Sequence, residues 1–177
     1  ETSKDEASTA EPKACQDYSE LDLKTLPSLP KTPYTETFGS GSVPTCWTST
    51  SSGDGWRFTG AGSWGLVNDH TTGASSSGNV AWIDGSTTHY TDNSLISPPL
   101  DVSGLTSPRV SFWLHSSNTD GNGSYTTLNV NLWDGASWNN SVISHVGETA
   151  GGTWEEFTID LSGFTITGPI QVEFLAD

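Results

Sequence analysis

The chain has 177 residues, with 21 acidic against 6 basic side chains, a formal net charge of −15 and a pI near 4.2. Such a chain is repelled by the nucleic-acid phosphate backbone and by anionic lipid surfaces, which excludes both as direct partners. Only 32% of the residues are hydrophobic, and no apolar run approaches the roughly 20 residues needed to span a membrane. Gly, Ser, Thr, Asn and Asp fill the spaces between short apolar runs, and Trp occurs eight times. Many short strands joined by small polar turns have this composition; a helical bundle does not. The acid excess has two readings, solubility in a salty or extracellular medium and neutralisation by a divalent cation such as calcium.

Residues 1–32 read as an extended or disordered linker, rich in Thr, Ser, Ala, Pro, Glu and Lys, with room for one short helix between Asp17 and Lys24. Four of the six basic residues lie there, so the part expected to fold, residues 33–177, is almost purely acidic. Cys15 and Cys46 are the two cysteines. A disulfide between them closes a loop of about thirty residues and contributes about 3–4 kcal/mol in the chain-entropy picture. Two free thiols would look the same in the sequence.

From Pro33 onward the hydrophobic period is two. Asn79 to Asp84 is a predicted strand ending in an Asp-Gly turn. Leu95 to Val102 is extended, and Pro98-Pro99 assign it to a sheet edge or a crossover. Arg109 to His115 carries apolar residues on both faces, which predicts a central strand. Leu128 to Trp133 alternates, with Leu128, Val130 and Leu132 directed inward. Asp134-Gly135-Ala136-Ser137 turns the chain into a hairpin partner from Trp138 to Val146. Trp154–Leu161 and Ile170–Phe174 close the pattern, and Phe164 between them is predicted to plug one end. The class is all-β: an antiparallel two-sheet β-sandwich or jelly roll with about nine or ten strands.

Catalytic signatures do not emerge. There is no Gly-x-Ser-x-Gly elbow, no phosphate-binding Gly-x-x-x-x-Gly-Lys loop and no His-Glu-x-x-His pair. Glu155 and Glu156 are neighbours on a strand, so they point to opposite faces and form no acid/base pair. The expectation is a non-catalytic domain. His115 sits in an apolar strand and reads as a core or rim histidine, while His89 and His145 lack partners at metal-site spacing. Asp69-His70-Thr71-Thr72-Gly73 is a compact polar cluster suited equally to calcium ligation and to a plain Asx turn. Trp82, Trp113 and Trp154 fall at strand positions expected to fill the core. Trp56, Trp64 and Trp138 lie among Gly, Ser, Asp and Asn, where a partly exposed indole can stack on a sugar ring.

The cluster at Asp69 is followed by Gly78-Asn79-Val80-Ala81-Trp82, then by Leu95-Ile96-Ser97-Pro98-Pro99-Leu100 and Val110-Ser111-Phe112-Trp113-Leu114-His115. Gly151-Gly152-Thr153-Trp154 and Gln171-Val172-Glu173-Phe174 come later. Five elements in this order resemble the MAM domains, extracellular modules named for meprin, neuropilin and a receptor tyrosine phosphatase. Thr35 to Phe38, Pro44 to Trp47 and Trp133 to Trp138 are most similar to secreted bacterial versions. The resemblance implies a jelly roll serving adhesion, protein–protein contact or assembly within a larger secreted or cell-surface protein. Its implied partners are other proteins of the cell surface or of the secretion and assembly apparatus. It also implies structural calcium near the Asp-His-Thr loop, with Asp69 as a ligand. The family's acidic residue directly after the first-strand Phe is Gly39 here, so Glu36, placed on the same face as Phe38 by strand periodicity, becomes the substitute ligand. The family pattern continues into one more strand than the sequence contains, so the expected sandwich lacks its final strand. The rival reading, resting on the aromatics, is a carbohydrate-binding module of a secreted enzyme, with glycans as ligands.

Overall fold

The structure, a computed structural model, describes residues 33–51, 55–59, 70, 79–84, 92–117 and 126–177. The expected linker with Cys15, and the side chains of Trp64 and Asp69, lie outside the described residues. Among the described residues there are seven strands: β1 (Thr48–Thr50), β2 (Asn93–Ile96), β3 (Arg109–Leu114), β4 (Leu128–Trp133), β5 (Trp138–His145), β6 (Glu155–Asp160) and β7 (Gln171–Ala176). Every pairing is antiparallel. One sheet has the order β1-β2-β7-β4-β5, and β3 pairs with β6 in a second sheet. The two pack as a sandwich, so the all-β class read from the sequence holds.

Alternation explains which residues lie between the sheets. Leu128, Val130 and Leu132 of β4 are 8%, 0% and 0% exposed, as their spacing predicts. They meet Val172 of β7, Ile159 of β6 and the flanking Leu161 and Ile170, with Phe112 and Leu114 of β3 packed against them. A second cluster gathers Trp47, Phe58 and Leu95. Phe174 touches both clusters, edge-on to Phe112 at 5.1 Å and stacked on Trp47 at 6.4 Å. Phe164 packs against the first cluster, in keeping with its expected role as a plug.

Three sequence expectations are corrected. Asn79 to Asp84 is not a strand; only Trp82 forms a bridge, with Arg57, through two backbone bonds of 2.8 Å. The Arg57 guanidinium also lies 5.1 Å over the Trp82 ring and 3.9 Å from Asp84, which fixes this crossing without a ladder. Strand β2 is neither edge nor crossover, since β1 and β7 flank it. Pro98 and Pro99 follow it, where the ladder to β7 is interrupted. Ser97 N–H donates to Val172 O, Leu100 pairs with Ile170, and the Ser97 hydroxyl accepts the Val172 N–H at 2.9 Å. The Ser97 hydroxyl thus gives the Val172 N–H an acceptor where the backbone ladder is interrupted. Finally, β3 has only β6 as a partner among the described residues, and its burial alternates along its length.

The β4–β5 hairpin is held by more than its ladder. Asp134 carboxylate oxygens accept from Ala136 N–H, Ser137 N–H and the Asn139 side-chain amide at 2.8–2.9 Å. Gly135 has φ +99°, and a Cβ there would overlap the backbone of Gly168. Thr167 N–H donates to Asp134 O at 2.9 Å, clamping the loop before β7 onto the turn.

Candidate binding surfaces

Outward-facing positions of β3 and β6 pair as Arg109 with Asp160, Ser111 with Thr158 and Trp113 with Glu156. Trp113 was expected in the core, yet it is 43% exposed because Phe112 and Leu114 take the inward positions. One face of its ring is stacked on His70, with centroids 3.6 Å apart and planes inclined 17°. His70 also meets Trp154 edge-on at 6.2 Å, and His115 approaches the same indole at 5.5 Å. Nδ1 of His70 and Nδ1 of His115 are both buried without a hydrogen-bond partner. Trp154 therefore joins a surface ladder of indoles and imidazoles, and His115 is a rim residue.

The outer face of the larger sheet is different in kind. Trp133 and Trp138 are cross-strand neighbours, their ring centroids 5.8 Å apart and their planes inclined 60°. Trp138 is 37% exposed. Gln171 lies opposite Trp133 on β7, and its amide donates to Ser97 O. Next to this row, Glu173 accepts from the Ser94 hydroxyl at 2.5 Å and from the Asn131 amide at 2.7 Å. Asn131 also accepts the N–H of Ser141 at 2.7 Å, where β5 bulges and Ser141 has φ 51°. The amide replaces a ladder partner that the bulge removes. β4 and β5 contain no Asp, Glu, Lys or Arg.

The other sequence-derived site residues are placed as follows. Glu36 lies in irregular chain ahead of a turn at Gly39-Ser40, not in a strand, so strand periodicity does not align it with Phe38. Its carboxylate accepts the Phe38 N–H at 2.6 Å, and Phe38 has φ 57°. A bulky residue in that region is strained by about 1–3 kcal/mol. The carboxylate bond and the ring contacts to Trp47 and Phe58 hold it there. The Tyr34 hydroxyl accepts from the Trp47 indole at 2.9 Å and bonds Glu36; burial, with Glu36 adding to it, pushes the Tyr34 phenol above its ordinary value. A carboxylate offers about four acceptor positions. Two are used here, so Glu36 keeps capacity for a cation. Among the described residues no three His, Cys, Asp or Glu side chains are grouped to hold a metal. Trp56 packs against both core clusters and spends its indole N–H on Asn93 O at 3.0 Å. Cys46 is not a free thiol. Trp133 and the His70–Trp113 pair are the surface residues that sequence reasoning missed.

These features define a two-sheet antiparallel sandwich that carries aromatic side chains on both outer faces. No helix among the described residues is long and apolar enough to cross a membrane. Residues 37–177 match the MAM domain family (MAM domain, meprin/A5/mu), and the chain belongs to it. No curated protein and no solved structure matches the chain.

The Asp134 turn yields a pH-dependent outcome. Hydrogen bonds from Asn139, Ser137 and Ala136 lower its carboxyl from an ordinary 3.8 to about 2. A depressed folded-state pKa contributes stability above the unfolded value that is lost as pH falls through the folded one. Asp134→Asn is therefore expected to melt below the wild type at pH 6, with the gap closing between about pH 4 and pH 2. Paired thermal melts across that range check it, and a gap independent of pH would contradict the assignment.

Proposed function

We propose that this domain is the non-catalytic adhesion or assembly module of a larger secreted or cell-surface protein, contacting a partner protein through the Trp113–His70 face. The observation that carries the reading is the family match over residues 37–177. MAM domains are extracellular adhesion and interaction modules without catalytic activity. Support for the face comes from Trp113, since an exposed, rigidly stacked indole is the kind of residue that dominates binding energy at interfaces. With a net charge of −15, the chain favours a partner presenting a basic surface.

Beads coated with the full chain test this against identical beads and against cells of its own source. Trp113→Ala is expected to lower adhesion about tenfold or more, the loss of a hot-spot side chain. Its stability cost is about 0.5–1.5 kcal/mol from the lost ring stack, so the coat stays folded. Failure of the wild-type beads to adhere sinks the function, whereas undiminished adhesion by Trp113→Ala sinks only the face.

A structural calcium ion held through Asp69 and Glu36 belongs to the same proposal, supported by the acid excess and by the spare acceptor capacity of Glu36. Calcium at about 100 times its Kd adds about 2.7 kcal/mol. That corresponds to about 5–10 °C in Tm for a domain of this size. The gain should vanish with chelator and in Asp69→Asn; an unchanged Tm rules the ion out. The Cys15–Cys46 disulfide is likewise proposed, supported by the bonded state of Cys46, and fits an oxidising compartment. Non-reducing peptide mapping should recover the two cysteines in one linked fragment, and recovery of either as a free thiol overturns the pairing.

A further inference from the structure

We propose that the β4–β5 hairpin is a second binding site, separate from the Trp113 face, that takes a neutral saccharide by stacking one sugar ring on Trp138. Three observations converge. First, Trp138 is 37% exposed on the outside of the sheet, and Trp133 closes one side of it at 5.8 Å. An indole presents a flat apolar surface matching the C–H face of a pyranose, with an edge able to donate a hydrogen bond.

Second, the surroundings are uncharged and hydrogen-bonding. The chain carries 21 acidic residues, yet β4 and β5 have none. Exposed Asn140 lies two residues further along β5, on the same face as Trp138 by strand alternation, and exposed Ser137 precedes the ring in the turn. The acid in the adjoining turn, Asp134, is already bonded to Ala136, Ser137 and Asn139. Glu173, on the same face, is held by Ser94 and Asn131. Protein-binding hot spots are typically set in well-packed apolar surroundings and draw on Arg. An aromatic ring bordered by neutral amides and hydroxyls instead suits a ligand that is itself a ring bordered by hydroxyls. The net charge of −15 disfavours uronate or sulfated chains.

Third, the display is rigid. The Asp134 bonds, the Gly135–Gly168 approach and the Thr167 clamp fix the turn that links Trp133 to Trp138. A ring held in place loses little freedom when a ligand arrives. The 60° inclination of the two indoles also sets the ligand's form. Both rings cannot lie flat on one planar surface, so the site takes a soluble chain or a chain end and not the face of a crystalline polysaccharide.

The test is calorimetry and tryptophan fluorescence on the full chain with four neutral hexasaccharides (of glucose in β-1,4 and β-1,3 linkage, of mannose and of N-acetylglucosamine), with polygalacturonate as the anionic control. At least one neutral sugar is expected to bind with a change in indole emission. Trp138→Ala should weaken it about tenfold or more. Trp138→Phe, which keeps a flat ring, should recover most of the affinity, and Trp113→Ala should leave it unchanged. Binding of none of the neutral sugars, a preference for polygalacturonate, or undiminished binding by Trp138→Ala overturns the proposal. The adhesion outcome for Trp113→Ala is read independently, so either site can fail without the other.

Discussion

Strand β7 holds the sandwich together, because two adjacent residues on it serve opposite faces. Phe174 points inward and, with Tyr34 and Trp56, is one of the side chains packed against both hydrophobic clusters. Glu173 points outward and ties β2 to β4 through Ser94 and Asn131. A strand bonded on both edges has no free ladder groups, and here neither face is idle. Removing the inward ring weakens the join between two small cores, leaving Tyr34 and Trp56 to bridge them; removing the outward carboxylate leaves a nearly buried amide and hydroxyl seeking partners. The remaining strands of the larger sheet take their positions from this one.

The two outer faces achieve exposure of aromatic surface by different physical means. On β3, Trp113 is stabilised by a ring from a distant loop, so half of its surface is covered without a sheet above it. On the hairpin, Trp133 and Trp138 cover one another across a single strand pair. One arrangement depends on long-range placement of His70, whereas the other is built within a dozen residues on a turn held by Asp134 and clamped by Thr167.

Much of the architecture was legible because it is local. The spacing of Leu128, Val130 and Leu132 predicts their burial, and Asp134-Gly135 marks the hairpin through turn chemistry alone. The errors arise where a distant residue supplies what periodicity assumes comes from a neighbouring sheet. Apolar residues on both faces of β3 read as a central strand, but His70 is what covers Trp113. Pro98-Pro99 read as an edge or a crossover, but β2 just before them is flanked on both sides and the Ser97 hydroxyl accepts the Val172 N–H where the ladder breaks. Strand alternation aligned Glu36 with Phe38, but the chain there turns through a positive φ that only the backbone reveals. Site residues were harder still: Trp138 stood out by its polar neighbours, while Trp133 looked like one more outward strand residue until its pairing was known.

The middle position of β7 has a consequence for the order in which the molecule is assembled. Ser94 and Glu173 are 79 residues apart, so at ordinary synthesis rates of about 5–20 residues per second β2 waits about 4–16 s for its partner. Until then the larger sheet exists as two unconnected fragments, β1–β2 and β4–β5, with a gap one strand wide. Neither fragment can bury its apolar face alone. Closure is therefore a late, non-local and slow event. Phe174, which packs against both clusters, arrives only with that strand.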